Sequence, residues 1–301
     1  MNINKKKETS PELKISDWEL DFYSRPIIEA NGKKRWELII CSTRSYETKD
    51  IFLWNKKCPA SEVNSIWLTK ALNEALNEAR KEGWAKPSIV RFWRSSMKSI
   101  IKKSLEATNI EALVSRRTYN LFDRIEFLEK DIYPKEKGYV RGVLAPTFTS
   151  TMESSPTPLP EAVRGDALTI SEISVGELKS AQNWPIEFGD IFPIHQPLDN
   201  NELIPGLRLF SKERSLALSA WFSSLEPIKL IISKNQLILE ASEDDKWLVT
   251  DLPEKDANIL STKFLENKKN SFGYQFISIQ STPYIEKFAG FWILRDIELI
   301  K

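Results

Sequence analysis

The run Trp18-Glu19-Leu20-Asp21-Phe22-Tyr23-Ser24-Arg25-Pro26-Ile27-Ile28 decides the fold of the first half of the chain. A second apolar and aromatic run, Lys34-Arg35-Trp36-Glu37-Leu38-Ile39-Ile40-Cys41-Ser42, follows it after Ala30-Asn31-Gly32. Asn-Gly between two such runs is the strongest short-range signal for a β-hairpin. We therefore expect two long antiparallel strands at the start of a sheet.

The chain beyond the hairpin alternates between strand and helix patterns. Short strands are predicted at residues 51–54, 88–94 and 111–115, and helices begin at Asn64 or Ser65, at Ser95 and at Tyr119. Parallel strands need crossover helices, so the order β-β-β-α-β-α-β-α predicts an α/β mixed sheet with helices on its faces. This order resembles the ribonuclease-H-like fold, which by itself defines no function.

Residues 145–165 interrupt this pattern with four prolines and seven Ser or Thr residues, a composition typical of an extended linker. We place an N-terminal domain at 17–144 and a C-terminal domain at 166–301. The second domain is predicted to be strand-rich α+β. Its predicted strands are 166–173, 207–210, 216–222, 228–233, 236–241, 247–252, 274–280 and 288–299, with a capping box at Ser174 and a helix at 253–267. Meander, helix and strand follow one another in both halves, which a degenerate repeat would produce, although no residue-level repeat supports it.

The charges are distributed unevenly along the chain. Forty-three Lys and Arg against 42 Asp and Glu give a net charge of +1, but residues 1–141 carry 28 basic and 20 acidic residues and the remainder carries 15 and 22. The first part is therefore at +8 and the second at −7. Residues 86–117 alone hold eight basic and two acidic side chains. A polyanionic partner is compatible with that distribution.

The composition argues against most enzyme classes. The chain has one histidine, His195, in a proline-flanked loop with no visible acid-base partner, and two cysteines, Cys41 and Cys58, whose spacing matches no metal or redox motif. Neither a Walker motif nor G-x-G-x-x-G occurs, and no apolar run approaches the roughly 20 residues that cross a bilayer. We expect a non-enzymatic protein of a reducing compartment, with no cofactor, no metal and no membrane insertion.

Basic and aromatic residues interleave around the fourth and fifth predicted strands. Arg94, Arg116 and Arg117 stand at the carboxyl ends of neighbouring strands, so their guanidinium groups are expected to converge at one sheet edge. Single-stranded RNA is held by cations for phosphates and flat groups for bases. The predicted RNA-binding residues in this region are Arg25, Arg91, Trp93, Arg94, Lys98, Lys102, Arg116 and Arg117. The residues equally allow a solvated lysine face on the second helix and aromatic rings that belong to the core.

Two other features have alternative interpretations. Asp21 on the first strand suits a two-metal nuclease of ribonuclease-H-like fold, but the fourth strand ends in Arg91 and Arg94 where such an enzyme needs a carboxylate. An ion pair with Arg25 is the other role open to Asp21. Trp292, in the continuous apolar run 290–294, is either a stacking residue or part of a buried strand.

Several of these segments together resemble the Tab/Atab family of cyanobacterial and chloroplast RNA-binding translation activators. The resemblance rests on Trp18 to Ile27, Lys34 to Cys41, Ile89-Val90-Arg91-Phe92-Trp93-Arg94-Ser95-Ser96-Met97, Ser115-Arg116-Arg117, Leu203 to Leu207, Ala220-Trp221 and Gly290-Phe291-Trp292-Ile293-Leu294. It covers roughly residues 17 to 298 in the family's order. Trp93 and Ile293 depart mildly from the usual Arg-Phe-Phe-Arg and Trp-Leu-Leu patterns.

The resemblance implies binding of single-stranded A/U-rich RNA, in the leader of a message, and a role in translation of photosystem reaction-centre subunits and photosystem biogenesis. It also implies that the run 290–294 near the end of the chain takes part in RNA binding, which adds Trp292 to the predicted site. The ribosome and photosystem assembly factors are the further partners considered. About 16 residues precede the first strand, which favours a cyanobacterial, cytoplasmic member over one with a transit extension. A nuclease centred on Asp21 and a scaffold in photosystem assembly stay open as alternatives.

Overall fold

The computed structural model describes residues 13–141, 155–242, 245–284 and 287–297. The first unit contains β1 (Trp18–Ile28), β2 (Lys34–Ser42), β3 (Leu53–Cys58), α1 (Ser65–Lys81), β4 (Ile89–Phe92), α2 (Lys98–Ala107), β5 (Glu111–Val114) and α3 (Tyr119–Phe127). The predicted order of elements is confirmed, with the third strand beginning two residues later than expected. The five strands form one sheet in the order β3-β2-β1-β4-β5.

The hairpin sets the register of this sheet. β1 and β2 are antiparallel from Trp18 opposite Ser42 to Ser24 opposite Trp36. The two crossovers through α1 and α2 then bring β4 alongside β1 and β5 alongside β4, both in parallel. As the sequence indicates, Asn64 caps α1 by accepting the backbone N–H of Trp67 at 3.0 Å.

Both faces of the first sheet are covered. On one face, Trp18, Leu20 and Phe22 pack with Leu68 of α1 and Ile101 of α2. On the other, Ile39 and Cys41 pack with Leu121 and Ile125 of α3. The long strand β1 continues past the end of β4, so residues 21–25 have no strand partner on that side within the described part of the chain, and Ile27 pairs there with Tyr139 in an isolated bridge. This free edge of β1 becomes important for the candidate site.

The second unit comprises β6 (Thr157–Pro158), β7 (Ala167–Ser174), α4 (Val175–Leu178), β8 (Ile186–Asp190), β9 (Leu203–Phe210), α5 (Ser215–Ser224), β10 (Pro227–Ser233), β11 (Gln236–Ala241), β12 (Asp245–Asp251), α6 (Glu254–Asn270), β13 (Tyr274–Gln280) and β14 (Phe288–Arg295). Five strands form a mixed sheet in the order β7-β9-β13-β14-β8, and four form a second sheet in the order β10-β11-β12-β6. The order and the directions of the strands differ from those of the first sheet.

Two local expectations were wrong. Residues 216–222, predicted as a strand, lie in helix α5, where Leu218, Ser219 and Phe222 are buried at helical spacing. A short apolar run does not distinguish a buried strand from a buried helix. The meander expected from 207 to 252 is therefore split between the two sheets, with α5 between them.

Part of the predicted linker forms regular structure. Its residues 145–154 lie outside the described residues, but Thr157–Pro158 adds a short edge strand to β12, and Leu159 is buried. Proline is tolerated on an edge strand because no neighbour needs its missing N–H. The capping box predicted at Ser174 is confirmed by reciprocal hydrogen bonds with Glu177. Within the part of the chain that the structure describes, no helix is both long and apolar enough to cross a membrane.

Candidate nucleic-acid interface

The carboxyl ends of β4 and β5 face the second unit. Arg91 of β4 donates from Nε to Glu226 Oε2 at 3.1 Å, and Arg116, which follows β5, donates from Nη2 to Glu240 Oε2 at 2.9 Å. Arg116 has only 8% of its surface exposed. The structure thus brings these arginines to one edge of the sheet, where acidic residues of the second unit neutralise them.

Arg117 is the most firmly held of the group. Its Nε and Nη2 atoms donate to Asp190 Oδ2 at 3.0 and 2.7 Å, and the carbonyl oxygens of Pro227 and Ile293 accept further hydrogen bonds from the same guanidinium group. Removal from water would raise the pKa of Asp190, but Arg117 and Arg91 together hold it below its usual value. Arg117 therefore acts as a connector between the units in this structure.

A second group of polar contacts crosses the same interface, this time with the acidic residue on the first unit and the basic residues on the second. Asp123 of α3 accepts two hydrogen bonds from Arg295 Nη1, at 2.8 and 3.0 Å, and lies 2.9 Å from His195 Nε2. The Tyr274 hydroxyl lies 3.3 Å from the other ring nitrogen of His195. His195 lies in an irregular segment as expected, but the expectation that it has no acidic partner was wrong. No local pattern marks this pair, because the two residues are far apart in sequence.

Apolar side chains complete the interface. Tyr119 and Phe122 of α3 belong to one buried cluster with Phe192, Tyr274 and Phe276 of the second unit. The rings of Tyr119 and Phe192 lie 5.2 Å apart. A buried apolar contact of this kind, with ion pairs beside it, favours a permanent association of the two units.

These contacts revise the roles expected for Arg91, Arg116 and Arg117. In this structure their guanidinium groups meet carboxylates and carbonyl oxygens of the protein itself. The sequence of the first half does not reveal these contacts, because the carboxylates and carbonyl groups of the second unit that bind the three arginines lie in the second half of the chain. Asp17, which also accepts from Arg91, lies in the first half.

Asp21, Arg25 and Arg94 form a separate buried cluster on the free edge of β1. Arg94 donates from Nε to Asp21 Oδ1 and, at 3.2 Å, from Nη2 to Oδ2, while Arg25 Nη2 lies 2.8 Å from the same carboxylate. Burial would raise the pKa of Asp21, but Arg94 and Arg25 lower it below its usual value. The ion pair of Asp21 with Arg25, one of the two roles open from sequence, is confirmed.

This cluster bears on the nuclease alternative. The Asp21 side chain has no exposed surface, and both of its oxygens already accept from guanidinium groups. Among the residues that the structure describes, no group of three or more histidine, cysteine or acidic side chains is arranged to hold a metal ion. Asp21 thus has the environment of an anchor for Arg94, and Arg25 is buried behind it rather than available to RNA.

The anchored Arg94 lies between two aromatic rings. Its Cζ atom is 3.9 Å from the ring centroid of Tyr23 and 3.9 Å from that of Trp93. Trp36 continues the group, with its centroid 5.5 Å from that of Tyr23. All three rings are half-buried, so part of each is open to solvent. We call Tyr23, Trp36, Trp93 and Arg94 the aromatic stack.

Helix α2 begins directly beyond the aromatic stack. Lys98 occupies its first position and is half-buried, and Lys102, one turn later, is exposed. The exposed cations nearest in sequence to the stack thus come from the polar side of α2. Of the predicted site residues, Trp93, Lys98 and Lys102 keep surface open to a ligand.

Trp292 takes one of the two positions that the sequence left open. It is 2% exposed, belongs to the core of the second unit, and packs against Phe222 with ring centroids 6.1 Å apart. An added Cβ on Gly290 would lie 2.4 Å from the Trp292 ring, so the ring occupies space that only glycine leaves free. The structure therefore places Trp292 in a buried strand, the alternative that the sequence left open beside stacking on RNA.

Comparison with known proteins supplies the class of protein. The family described as "RNA-binding protein Tab2/Atab2 N terminal" matches residues 17–127, and "RNA-binding protein Tab2/Atab2, C-terminal domain" matches residues 146–295. "Protein TAB2 homolog, chloroplastic" from Arabidopsis thaliana is 30% identical over 293 residues, covering 94% of this chain and 75% of its own length. The protein of the same name from Zea mays is 30% identical over 300 residues, covering 96% and 74%.

One solved structure also aligns with most of the chain. It is the "CryoEM structure of simian T-cell lymphotropic virus intasome in complex with PP2A regulatory subunit B56 gamma", which covers 81% of this chain and 80% of its own, at a TM-score of 0.24 and 9% identity. That score is too low to define a shared fold. The family matches, in contrast, extend over both units and identify a class of RNA-binding proteins. This chain belongs to the Tab2/Atab2 family.

Proposed function

We propose that this protein binds single-stranded A/U-rich RNA in a message leader and thereby promotes translation of photosystem reaction-centre subunits, without catalysing a reaction. Membership of an RNA-binding family supports the RNA partner, and the chloroplast relatives support the link to photosynthesis. We further propose a cyanobacterial cytoplasm as the compartment, with the ribosome or photosystem assembly factors as further partners.

The aromatic stack beside Lys98 and Lys102 is the observation that carries this proposal. A base stacks on an aromatic or guanidinium plane with little dependence on its identity, and each stacked base contributes about 1–3 kcal/mol. Arg94 is fixed between Tyr23 and Trp93 by its ion pair with Asp21, so the stack is ordered before a ligand arrives. A preordered site loses less conformational entropy on binding.

Under this proposal the predicted residues have three different roles. Trp93 stacks a base, and Lys98 and Lys102 contact the neighbouring phosphates. Arg25 and Arg94 position the stack through Asp21. Arg91, Arg116 and Arg117 hold the second unit against the first, and Trp292 stabilises the core of the second unit.

Titration of fluorescently labelled RNA with the full-length protein tests the proposal. Wild type is expected to bind single-stranded U-rich and A/U-rich RNA more tightly than duplex RNA, and Trp93→Ala is expected to weaken binding by about 5- to 100-fold, the equivalent of one stacked base. Trp93→Phe should keep most of the affinity. Trp54→Ala is the matched control, because Trp54 is also half-buried in the first unit but lies on the edge strand β3.

The same assay separates the alternatives. Cleavage of the RNA by wild type in Mg²⁺ or Mn²⁺, abolished in Asp21→Asn, would replace the proposal by a nuclease. If crosslinking in cells recovers no RNA with the protein, a scaffold in photosystem assembly becomes the better interpretation. Sequencing of crosslinked RNA would identify the message.

A further inference from the structure

Five lysines surround the turn between β1 and β2, outside the region that the sequence singled out as basic. They come from three separate segments of the chain: Lys33 and Lys34 from the hairpin, Lys57 from β3, and Lys135 and Lys137 from the segment after α3. All five are exposed. We call them, with the carboxylate and the arginine that they surround, the hairpin-end surface.

Glu136 joins the three segments. Its Oε2 atom accepts from Arg35 Nη1 of β2 at 2.5 Å and lies 3.8 Å from Lys57 Nζ of β3. Lys135 and Lys137 flank Glu136 in sequence, and Lys34 precedes Arg35. The Glu136 carboxylate thus holds Arg35 and Lys57 next to the loop that carries Lys135 and Lys137, while the lysine side chains remain exposed.

The backbone fixes this arrangement. Ile28 donates its N–H to the carbonyl of Gly138 at 2.7 Å, and Val140 donates its N–H to the carbonyl of Pro26 at 2.9 Å. Gly138 has φ +87°, and an added Cβ would lie 2.1 Å from the carbonyl oxygen of Ile28. The segment 138–140 therefore runs directly along the free end of β1, and the lysines before it are held beside the hairpin.

Charge and polarity indicate the kind of partner. The surface contains six cations and the carboxylate of Glu136, and the adjacent Glu29, which accepts from Arg35 Nε at 2.8 Å, brings the net charge to +4. The large apolar residues that the structure exposes lie elsewhere than residues 29–35, 56–57 and 135–141. A membrane-bound surface would combine such lysines with apolar side chains that enter the lipid. A purely ionic surface fits the phosphates of a nucleic acid.

The hairpin-end surface is also connected to the aromatic stack. Arg25 lies between Asp21, at 2.8 Å, and Glu37, at 3.8 Å, and Glu37 accepts from the Tyr133 hydroxyl at 2.6 Å. Tyr133 begins the turn that contains Lys135. A chain of buried polar contacts therefore runs from Arg94 of the stack to the base of the lysine-bearing segment.

We propose that the hairpin-end surface binds the phosphates of RNA whose bases stack at Trp93, an inference that rests on the RNA-binding function proposed above. It assigns the main electrostatic contact to Lys33, Lys34, Lys57, Lys135 and Lys137. Arg91, Arg116 and Arg117, which the sequence favoured for this role, hold the two units together instead.

The test compares two quadruple variants of the full-length protein. The first replaces Lys33, Lys34, Lys135 and Lys137 by Gln and leaves Arg35, Lys57 and Glu136 in place, so that the contacts of Glu136 are preserved. The second replaces four exposed lysines elsewhere by Gln: Lys70, Lys212, Lys255 and Lys269. Both variants lose the same charge. Binding of labelled single-stranded RNA is measured from about 0.05 to 0.5 M salt, within the range where counterion release governs affinity.

The hairpin-end variant is expected to bind at least about tenfold more weakly near 0.1 M salt, with its slope of log affinity on log salt reduced by about 0.7 for each phosphate that is no longer neutralised. The control variant should keep the wild-type slope. Equal affinity and slope in the two variants would overturn the inference. So would loss of binding to vesicles of anionic lipid with RNA binding unchanged, since the surface would then face a membrane. If the wild-type protein itself binds no RNA, that result contradicts the proposed function and not only the proposed site.

Discussion

Arg117 and Asp190 join the two units through two hydrogen bonds to one carboxylate oxygen, at 3.0 and 2.7 Å. The pair is one of the places where the first part of the chain, at +8, contacts the remainder, at −7. Part of the positive charge of the first unit is matched by Glu226, Glu240 and Asp190 of the second. On the first unit, α2 and the hairpin end keep exposed positive charge that is open to a polyanionic partner.

Replacing Arg117 by alanine is expected to lower the free energy of unfolding by about 3 kcal/mol. Breaking a buried pair costs roughly 3–5 kcal/mol, and the lower end applies because the Asp190 side chain keeps 36% of its surface exposed. Urea unfolding measures the change. Lys81→Ala, at an ion pair in which the lysine is 70% exposed, is the control and should cost under about 1 kcal/mol. Equal effects of the two substitutions would contradict the role of Arg117 as a connector.

Asp21→Asn is expected to destabilise the protein by about 3–5 kcal/mol, because it leaves the guanidinium groups of Arg25 and Arg94 without their buried counter-charge. Asp50→Asn is a matched control, since Asp50 pairs with Lys14 but is 63% exposed. Thermal and urea unfolding provide the comparison. An Asp21→Asn protein as stable as the control variant would show that Asp21 is not an anchor, and a metal-binding role for it would regain weight.

The first sheet could be predicted from sequence because its signals are local. The hairpin at Asn31-Gly32, the cap at Asn64 and the apolar periodicity of α1 each act within a few residues, and all are found in the structure. Helix α5 was not predicted because seven consecutive residues, largely apolar, fit a strand as well as a helix. Its position was set by packing against β8 and β14, which no local pattern reveals.

In the candidate site, too, local features could be predicted from sequence and contacts between distant residues could not. Arg94 beside Trp93 was visible as a motif, but the role of Arg116 depends on Glu240, which lies on a different unit. The hairpin-end lysines were missed for a related reason, since they come from three separate segments, of which Lys33-Lys34-Arg35 is only a short basic run. Charge density along the chain is therefore a poor guide to charge density on the surface.

Two substitutions at Trp292 distinguish a packing role from an RNA-binding one. Trp292→Ala is expected to lower the free energy of unfolding by about 3–5 kcal/mol because it empties a core site next to Phe222. Trp292→Phe should cost less and keep RNA affinity within about twofold, because a buried ring does not touch the ligand. RNA titration of the folded Phe variant is the decisive measurement. A well-folded Trp292→Phe protein that no longer binds RNA would restore Trp292 to the site.

Glu19 makes stability depend on pH. It is 1% exposed on β1 and accepts the N–H of Leu121 at 2.8 Å. Burial raises its pKa from 4.5 to about 8, even though the Leu121 N–H and Arg91 act to lower it. Between those two pH values the folded protein holds a proton that the unfolded chain has released, so this group's contribution to stability is full below pH 4.5 and declines as pH rises to about 8.

Glu19→Gln removes that titration while keeping an oxygen that can accept from Leu121. The wild-type free energy of unfolding, measured in urea at intervals from pH 5 to 9, should fall relative to that of the variant by no more than about 1.4 kcal/mol per pH unit. The difference between the two proteins should become constant above about pH 8, where Glu19 is ionised in both states. Because the other titrating groups are common to both proteins, they cancel in the difference. Parallel pH profiles would show that Glu19 is already ionised in the folded protein at pH 5, and that the buried carboxylate has a partner stronger than the Leu121 N–H.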